Sequence, residues 1–284
     1  IALAEEGTEV IYPDPGFPIY ESMINFVGAK AVPIPLREER DFRFDVNELR
    51  DLITDRTRLI ILNSPQNPTG GVLEEEDMKA IAEICVKRNI PVLADEVYEH
   101  ILYDGKFCSI LTQPGMSVSE QGILLHGFSK TYAMTGWRLG YGVMPIPLAE
   151  QITRLMTNSN SCTSACTQYA GLAAFKGPQD SVGQMVQAFR ERRDIIVDGL
   201  NNLPGITCVK PKGAFYVFPN IKGTGMDSRT AEAFFMNEAG VACLSGSAFG
   251  RYGEGYLRLS YANSVPNIQK ALDNMGKALA RRGK

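Results

Sequence analysis

The chain has 284 residues, 44% of them hydrophobic, with 29 basic against 32 acidic side chains. That length allows one large domain or a large and a small one, each with its own core. The near-balanced charge gives no field for nucleic acid or an anionic membrane, so the expected partner is a small molecule. The apolar runs, such as Leu59–Leu62, fall far short of the roughly 20 residues that cross a bilayer. The N-terminus is acidic, and neither a membrane span nor a signal peptide is read. Of six cysteines, only Cys162 and Cys166 are close in sequence. They form neither a disulfide framework nor a zinc pattern, and are read as small buried thiols of a cytoplasmic protein. His100 and His126 are read as isolated, with no metal site expected.

The first residues, "IALAEEGTEVIY", read as the last turns of a helix followed by a strand, and the opening on Ile1 rather than methionine suggests that something preceded it. "EVIYPDPG" is a short strand stopped by Pro13 and Pro15, "YESMINFVGA" a helix ending at Gly28, and "AVPIPL" the start of a second unit. "TRLIILNSP" is too uniformly hydrophobic for an edge strand and stops at the turn cluster "SPQNPTGG". The next helix carries Glu74, Glu75, Glu76 and Asp77 in its first turn and Lys87 and Arg88 in its last. That arrangement suits the helix dipole, so the acidic run marks a helix start and not a binding site.

"IPVLADEVYE", "GILLHGFSK" and "RLGYGVM" are further strands, and from about Thr163 the period becomes helical. A connecting helix is expected from Ser181 to Leu203, then an α+β mixture through "ITCVKPKGAFYVFPNI", "SRTAEAFFMNEAG", "VACLSG" and "YLRLSYA" to a last helix. Alternating strands and helices predict an α/β fold with a mostly parallel sheet. A boundary near residues 180–200 separates a large domain, 1–185, from a small C-terminal α+β domain, 186–284, with no flexible linker or repeat.

In an open parallel sheet, ligands sit at the carboxyl ends of the strands. Asn67, Asp95 and Lys130 each lie just past the end of a different predicted strand and can converge there. Singly they mean little, since such residues serve as turn formers, helix caps and solvated charges. Together they offer an amine, a carboxylate and an amide. A lysine amine forms a Schiff base with a carbonyl, and pyridoxal phosphate is the commonest protein-bound carbonyl of that kind. An acid would keep the ring nitrogen protonated, and a phosphate calls for an arginine with hydroxyl or backbone donors.

The ordered strings "NSPQNPTGGVL", "ADEVYEHILYDG", "HGFSKTYAMTGWRLGYG" and "YLRLSYA" resemble the class I aminotransferases of the aspartate aminotransferase superfamily, fold type I, over essentially the whole chain. The resemblance implies a pyridoxal 5′-phosphate-dependent transaminase that exchanges an amino group between an α-amino acid and a 2-oxo acid by a ping-pong mechanism. By it, Lys130 forms the internal aldimine and shuttles the proton at the substrate's Cα, and Asp95 pairs with the pyridinium nitrogen. Tyr98 and Asn67 bond the ring's 3-oxygen, Asn67 also reaching the substrate carboxylate. Ser129 and Arg138 bind phosphate, Phe17 stacks on the ring, and Arg258 clamps the α-carboxylate in the two-pronged geometry that lysine cannot copy. Tyr216 is read as core packing in a strand. A cytoplasmic homodimer is implied as well.

Two positions depart from the family pattern. Gly127 stands where many relatives have a hydroxyl residue, so one phosphate contact is expected to fall to backbone or be lost. Ser245 stands where a proline is frequent. The family's phosphate-cradling turn, gating arm and dimer-crossing tyrosine lie upstream of the point where this sequence begins, and a longer protein is therefore expected. Two alternatives share the scaffold: a lyase or synthase that uses the same cofactor, and a non-catalytic sensing domain of a transcription regulator.

Overall fold

The computed structural model describes residues 1–282. The first half of the chain alternates strand and helix: β1 (Glu9–Asp14), α1 (Ile19–Phe26), β2 (Lys30–Pro35), α2 (Val46–Leu52), β3 (Thr57–Asn63), α3 (Glu75–Arg88), β4 (Val92–Asp95), β5 (Gly122–Gly127), α4 (Phe128–Thr131) and β6 (Gly140–Val143). The strands form one sheet in the order β2-β1-β3-β4-β5-β6. All neighbours are parallel except β5 and β6, which pair antiparallel with His126 opposite Tyr141.

β3 sits between β1 and β4, and its apolar run is explained by having both faces covered. Ile60 and Leu62 face a core shared with Leu49 of α2 and Met78 and Ile81 of α3. Ile61 points the other way, to a cluster with Val10, Tyr12 and the α1 residues Tyr20 and Ile24. Burying each such aliphatic side chain stabilises by about 1.5–3 kcal/mol. The acidic start of α3 is a capping box between Glu74 and Asp77, and Arg43 neutralises both carboxylates at 2.8 and 3.0 Å.

Four helices and three short strands follow: α5 (Ile146–Ser159), α6 (Ala165–Lys176), α7 (Asp180–Asn201), β7 (Tyr216–Val217), α8 (Ser228–Phe234), β8 (Leu244–Ser245) and β9 (Leu257–Ser260), before the closing helix α9 (Val265–Arg282). The second sheet is antiparallel, β7-β9-β8, and packs against α7 and α9 through Ile196, Leu200, Leu257, Ile268 and Met275. Among the described residues no helix is long and apolar enough to cross a membrane.

The structure corrects several readings. Residues 1–8 are not helical: Thr8 Oγ1 accepts the Glu5 N–H at 3.0 Å and donates to the Glu5 carbonyl at 2.6 Å, closing a turn through Gly7 at φ +85°. One isolated helical turn would fix three residues for a single hydrogen bond, and this turn is the better bargain for a threonine. Helical structure also starts earlier than Thr163, at α5, whose Pro147 lies in the first turn where no amide partner is needed. The stretch around "GAFYVFP" yields only a two-residue strand, because Ala214 has φ +59° and Pro219 lacks an amide to pair. Of the cysteines, Cys85, Cys208 and Cys243 are buried, but Cys162 and Cys166 are exposed.

Candidate active site

Parallel register brings the carboxyl ends of β3, β4 and β5 to one edge, with Asn63 beside Asp95 and Asp95 beside Leu125. Asn63 ties this edge together. Its Nδ2 donates to the Asp95 carbonyl at 3.0 Å, and its Oδ1 accepts the Asn67 N–H at 3.0 Å, which holds the turn after β3 against the end of β4. Gly70 in that turn has φ +72°, and a Cβ there would lie 2.3 Å from Pro211 Cβ, so only glycine lets the small-domain segment approach. After β5 the chain breaks into the single turn α4, which carries Lys130.

A cleft of about 460 Å³ opens at this edge, with Phe17, Asn67, Asp95, Lys130, Arg138 and Arg258 among its walls. Tyr98 and Ser129 line it too. The eight residues expected from the sequence thus divide as seven around the cleft from the large domain's loops and strand ends, and Arg258 from β9, which reaches across to donate through Nη1 to Asn67 Oδ1 at 3.1 Å.

The electrostatics follow from burial. Asp95 is pushed up by desolvation, an effect countered by the Tyr20 hydroxyl, which donates to its Oδ2 at 2.5 Å, and by the nearby His126 and Lys130. Desolvation also lowers the Lys130 ammonium, with Arg258 and Arg138 adding to the shift and Asp95 opposing it. The amine lies 5.5 Å from the Tyr98 ring centre and 5.2 Å from that of Phe215. The Tyr98 phenol is raised, chiefly by burial, and shares a 3.1 Å hydrogen bond with the Tyr216 hydroxyl. The Arg258 guanidinium lies between the rings of Tyr216 and Phe249, 4.5 and 4.8 Å from their centres. Its buried Nε has no partner among the described residues.

Arg138 stands at φ +54° and bonds the Thr135 carbonyl at 2.8 Å, leaving its guanidinium exposed at the cleft. Phe17 is 43% exposed and meets Tyr20 edge-on at 5.9 Å, so its ring is available to a ligand instead of being spent in the core.

Sequence reasoning missed Tyr20, Asn63 and Tyr216. Tyr20 falls at the start of a helix, and nothing in a helical pattern reveals a phenol that bonds an acid 75 residues away. Tyr216 is buried as the packing reading requires, but its ring and hydroxyl hold Arg258 and Tyr98. The reading of His100 and His126 as isolated is corrected: their ring centres are 6.2 Å apart, and Glu99 bonds His126 Nε2 at 3.1 Å. The turn after β4 and the end of β5 are adjacent in the sheet, which sequence separation conceals.

A sheet with its functional groups at the strand ends, a lysine on the turn after β5 and an arginine from a second sheet define a fold type I enzyme site. The family model for aminotransferase class I and II matches residues 1–275. The aspartate aminotransferase of Pyrococcus horikoshii is 44% identical over 98% of this chain and 71% of its own length. The aromatic-amino-acid aminotransferase 2 of Thermococcus litoralis is 41% identical over 97% of this chain and 71% of its own length. The crystal structure of the aromatic aminotransferase from Pyrococcus horikoshii superposes with a TM-score of 0.95 at 40% identity, over 99% of this chain and 76% of that one. The chain belongs to the class I and II aminotransferase family, and it is an enzyme, a transaminase.

Proposed function

We propose that this transaminase binds pyridoxal 5′-phosphate in the cleft and moves an amino group between an α-amino acid and a 2-oxo acid. The observation that carries the reading is the convergence of a desolvated acid, a deprotonation-prone lysine and a half-buried arginine with an unsatisfied Nε on one cleft. The residues present fit the cofactor: Asp95 offers a carboxylate for the ring nitrogen, Tyr98 and Asn67 offer donors for the 3-oxygen, and Arg138 with Ser129 offers charge and hydroxyl for the phosphate. Phe17 offers a ring face. Bound there, pyridoxal 5′-phosphate supplies an aldehyde to accept the amino group and a pyridinium ring that draws electrons from the substrate's Cα.

The chain's own residues do the rest. Lys130, with its ammonium destabilised by burial and by two arginines, spends more of its time as a free amine able to attack a carbonyl or take the Cα proton. Asp95 keeps its carboxylate with the help of the Tyr20 hydroxyl and holds a positive ring nitrogen in place. Arg258, with Asn67, orients the α-carboxylate, and the aromatic walls around its guanidinium exclude water and strengthen that pairing. The test is to incubate the protein with pyridoxal phosphate, a panel of amino acids and 2-oxoglutarate and to measure glutamate and the new oxo acid. Release of ammonia without glutamate would favour the lyase reading, and no turnover with any donor the sensor reading.

We further propose a division into domains at residues 1–185 and 186–284, supported by the two separate sheets, β2-β1-β3-β4-β5-β6 before α7 and β7-β9-β8 after it. A cytoplasmic setting is supported by six free cysteines, two of them exposed. A homodimer is supported by the apolar surface of α5 and α6, where Ile146, Tyr169 and Phe175 are exposed.

A further inference from the structure

His126, Glu99 and His100 take no part in the cofactor and substrate contacts proposed above, and their ligand atoms lie within 4.8 Å of one another, a spacing that would admit a metal ion. The hydrogen bonds argue for a different use. His126 Nδ1 accepts the Gly127 N–H at 2.9 Å. An imidazole nitrogen that accepts carries no proton, so in the neutral ring the proton is on Nε2. Nε2 then donates to Glu99 Oε2 at 3.1 Å and has no lone pair for a cation. The Glu99 carboxyl is lowered below its ordinary range, first of all by this bond.

The ring is also held mechanically. Its side chain is nearly buried, stacked on Tyr141 of β6 at 5.4 Å and 26°, with His100 edge-on at 6.2 Å. The amide it grips is at a corner. Gly127 is the last residue of β5, fully extended at φ −174° and ψ 173°, and the next residue starts the turn that carries Lys130. α4 is a single turn with no side-chain cap; the Phe128 amide is held by the Leu139 carbonyl at 3.2 Å, and the Gly127 amide just before it is held by the His126 ring.

We propose that His126 is a positioning residue for Lys130: with its tautomer set by Glu99, its Nδ1 holds the Gly127 amide and so fixes the corner from which the lysine projects. Glu99 orients the ring, the ring orients the amide, and the amide orients α4. The inference rests on Lys130 being the residue that engages the cofactor, as proposed above.

Two substitutions separate the two ends of the ring. The Asn Oδ1 in His126→Asn reaches the place of Nδ1 and can still accept the Gly127 N–H, but cannot reach Glu99. The Gln Nε2 in His126→Gln reaches the place of Nε2 and can still donate to Glu99, but offers Gly127 nothing. In the cofactor-free 284-residue chain, ¹⁵N NMR should show His126 protonated on Nε2 and unprotonated on Nδ1. Exchange of the Gly127 amide should stay within about twofold of wild type in His126→Asn and quicken about tenfold in His126→Gln, the factor for one lost hydrogen bond. The concentration of pyridoxal phosphate needed for half-maximal borohydride trapping on Lys130, read by peptide mass spectrometry, should rise in the same order.

A His126 ring protonated on Nδ1 would overturn the proposal without any variant having to fold. So would a His126→Gln chain that protects Gly127 and traps cofactor as well as His126→Asn does. Trapping of wild-type chain on a different lysine, with the His126 tautomer as expected, would instead overturn the reading of Lys130 and with it this role.

Discussion

Arg258 donates to the Asn67 side chain at 3.1 Å across 191 residues of sequence, joining β9 of the small sheet to the turn after β3 of the large one. The contact uses only Nη1: among the described residues Nη2 makes no hydrogen bond and the buried Nε has no partner, so the guanidinium keeps capacity for a further acceptor. A carboxylate is the acceptor whose two oxygens match a guanidinium fork.

Arg258→Ala and Arg258→Lys should therefore lower kcat/KM for every α-amino acid, whatever its side chain. Truncating one partner of a desolvated charge pair costs about 2–5 kcal/mol, at roughly tenfold per 1.4 kcal/mol. Reaction with simple amines, already poor, should hardly change. Steady-state kinetics on matched amino acids and amines make the comparison, and near-normal kcat/KM for amino acids would return Arg258 to a packing role.

Lys130→Ala should abolish borohydride attachment of the cofactor and lower turnover by about 10²–10⁴-fold, the usual worth of a positioned proton-transfer group. Added methylamine should restore part of the rate, since it resupplies an amine at the vacated site. Peptide mapping of the reduced adduct checks the first outcome, and a label retained in the variant would show that another lysine is used.

Tyr20→Phe should make Asp95 harder to ionise. Burial raises this carboxyl and the Tyr20 hydroxyl is the largest influence acting against it, so removing the hydroxyl moves the pKa further up. A group with a raised folded pKa holds its proton to higher pH. The acid side of the pH profile for pyridoxal phosphate binding should accordingly shift to higher pH in Tyr20→Phe, with little change on the alkaline side. Fluorescence or absorbance titrations across pH would read this, and superimposable profiles would deny Tyr20 any part in tuning the acid.

Asp14 gives a stability prediction. At the end of β1 its carboxylate accepts the Arg251 and Tyr252 N–H groups at 3.1 Å, tying the large sheet to the small domain, yet burial raises its pKa to about 6 from the ordinary 3.8. Because the folded chain binds this proton more tightly than the unfolded one, the contribution from protonation is full below pH 3.8 and is lost as pH rises towards about 6. The stability of wild type relative to Asp14→Asn should thus decline over that window and level off above it. Urea unfolding of both chains at several pH values tests the sign, and a difference that grows with pH would contradict it.

What could be read from the residues alone was what depends on near neighbours. The apolar run of β3, the capping acids of α3 and the Pro/Gly turn carrying Asn67 announce themselves within a few positions, because helix dipoles, turn chemistry and side-chain alternation act over one or two turns of chain. The motifs around Asp95, Lys130 and Arg258 carried the family, and with it the expected chemistry. Alternation in "YLRLSY" put Arg258 on the face opposite Leu257 and Leu259, but could not say whether that face met water or a cleft. Folding decided it, by burying both leucines in the small-domain core and turning the arginine onto Tyr216, Phe249 and Asn67. Tyr20 of α1 on Asp95 of β4, and His126 of β5 between Glu99, His100 and its antiparallel neighbour Tyr141, are likewise contacts between separate elements that the folded sheet brings together. No local pattern encodes them, since a hydrogen bond or a stacked ring depends on where separate elements dock, and that is set by the packing of the whole sheet.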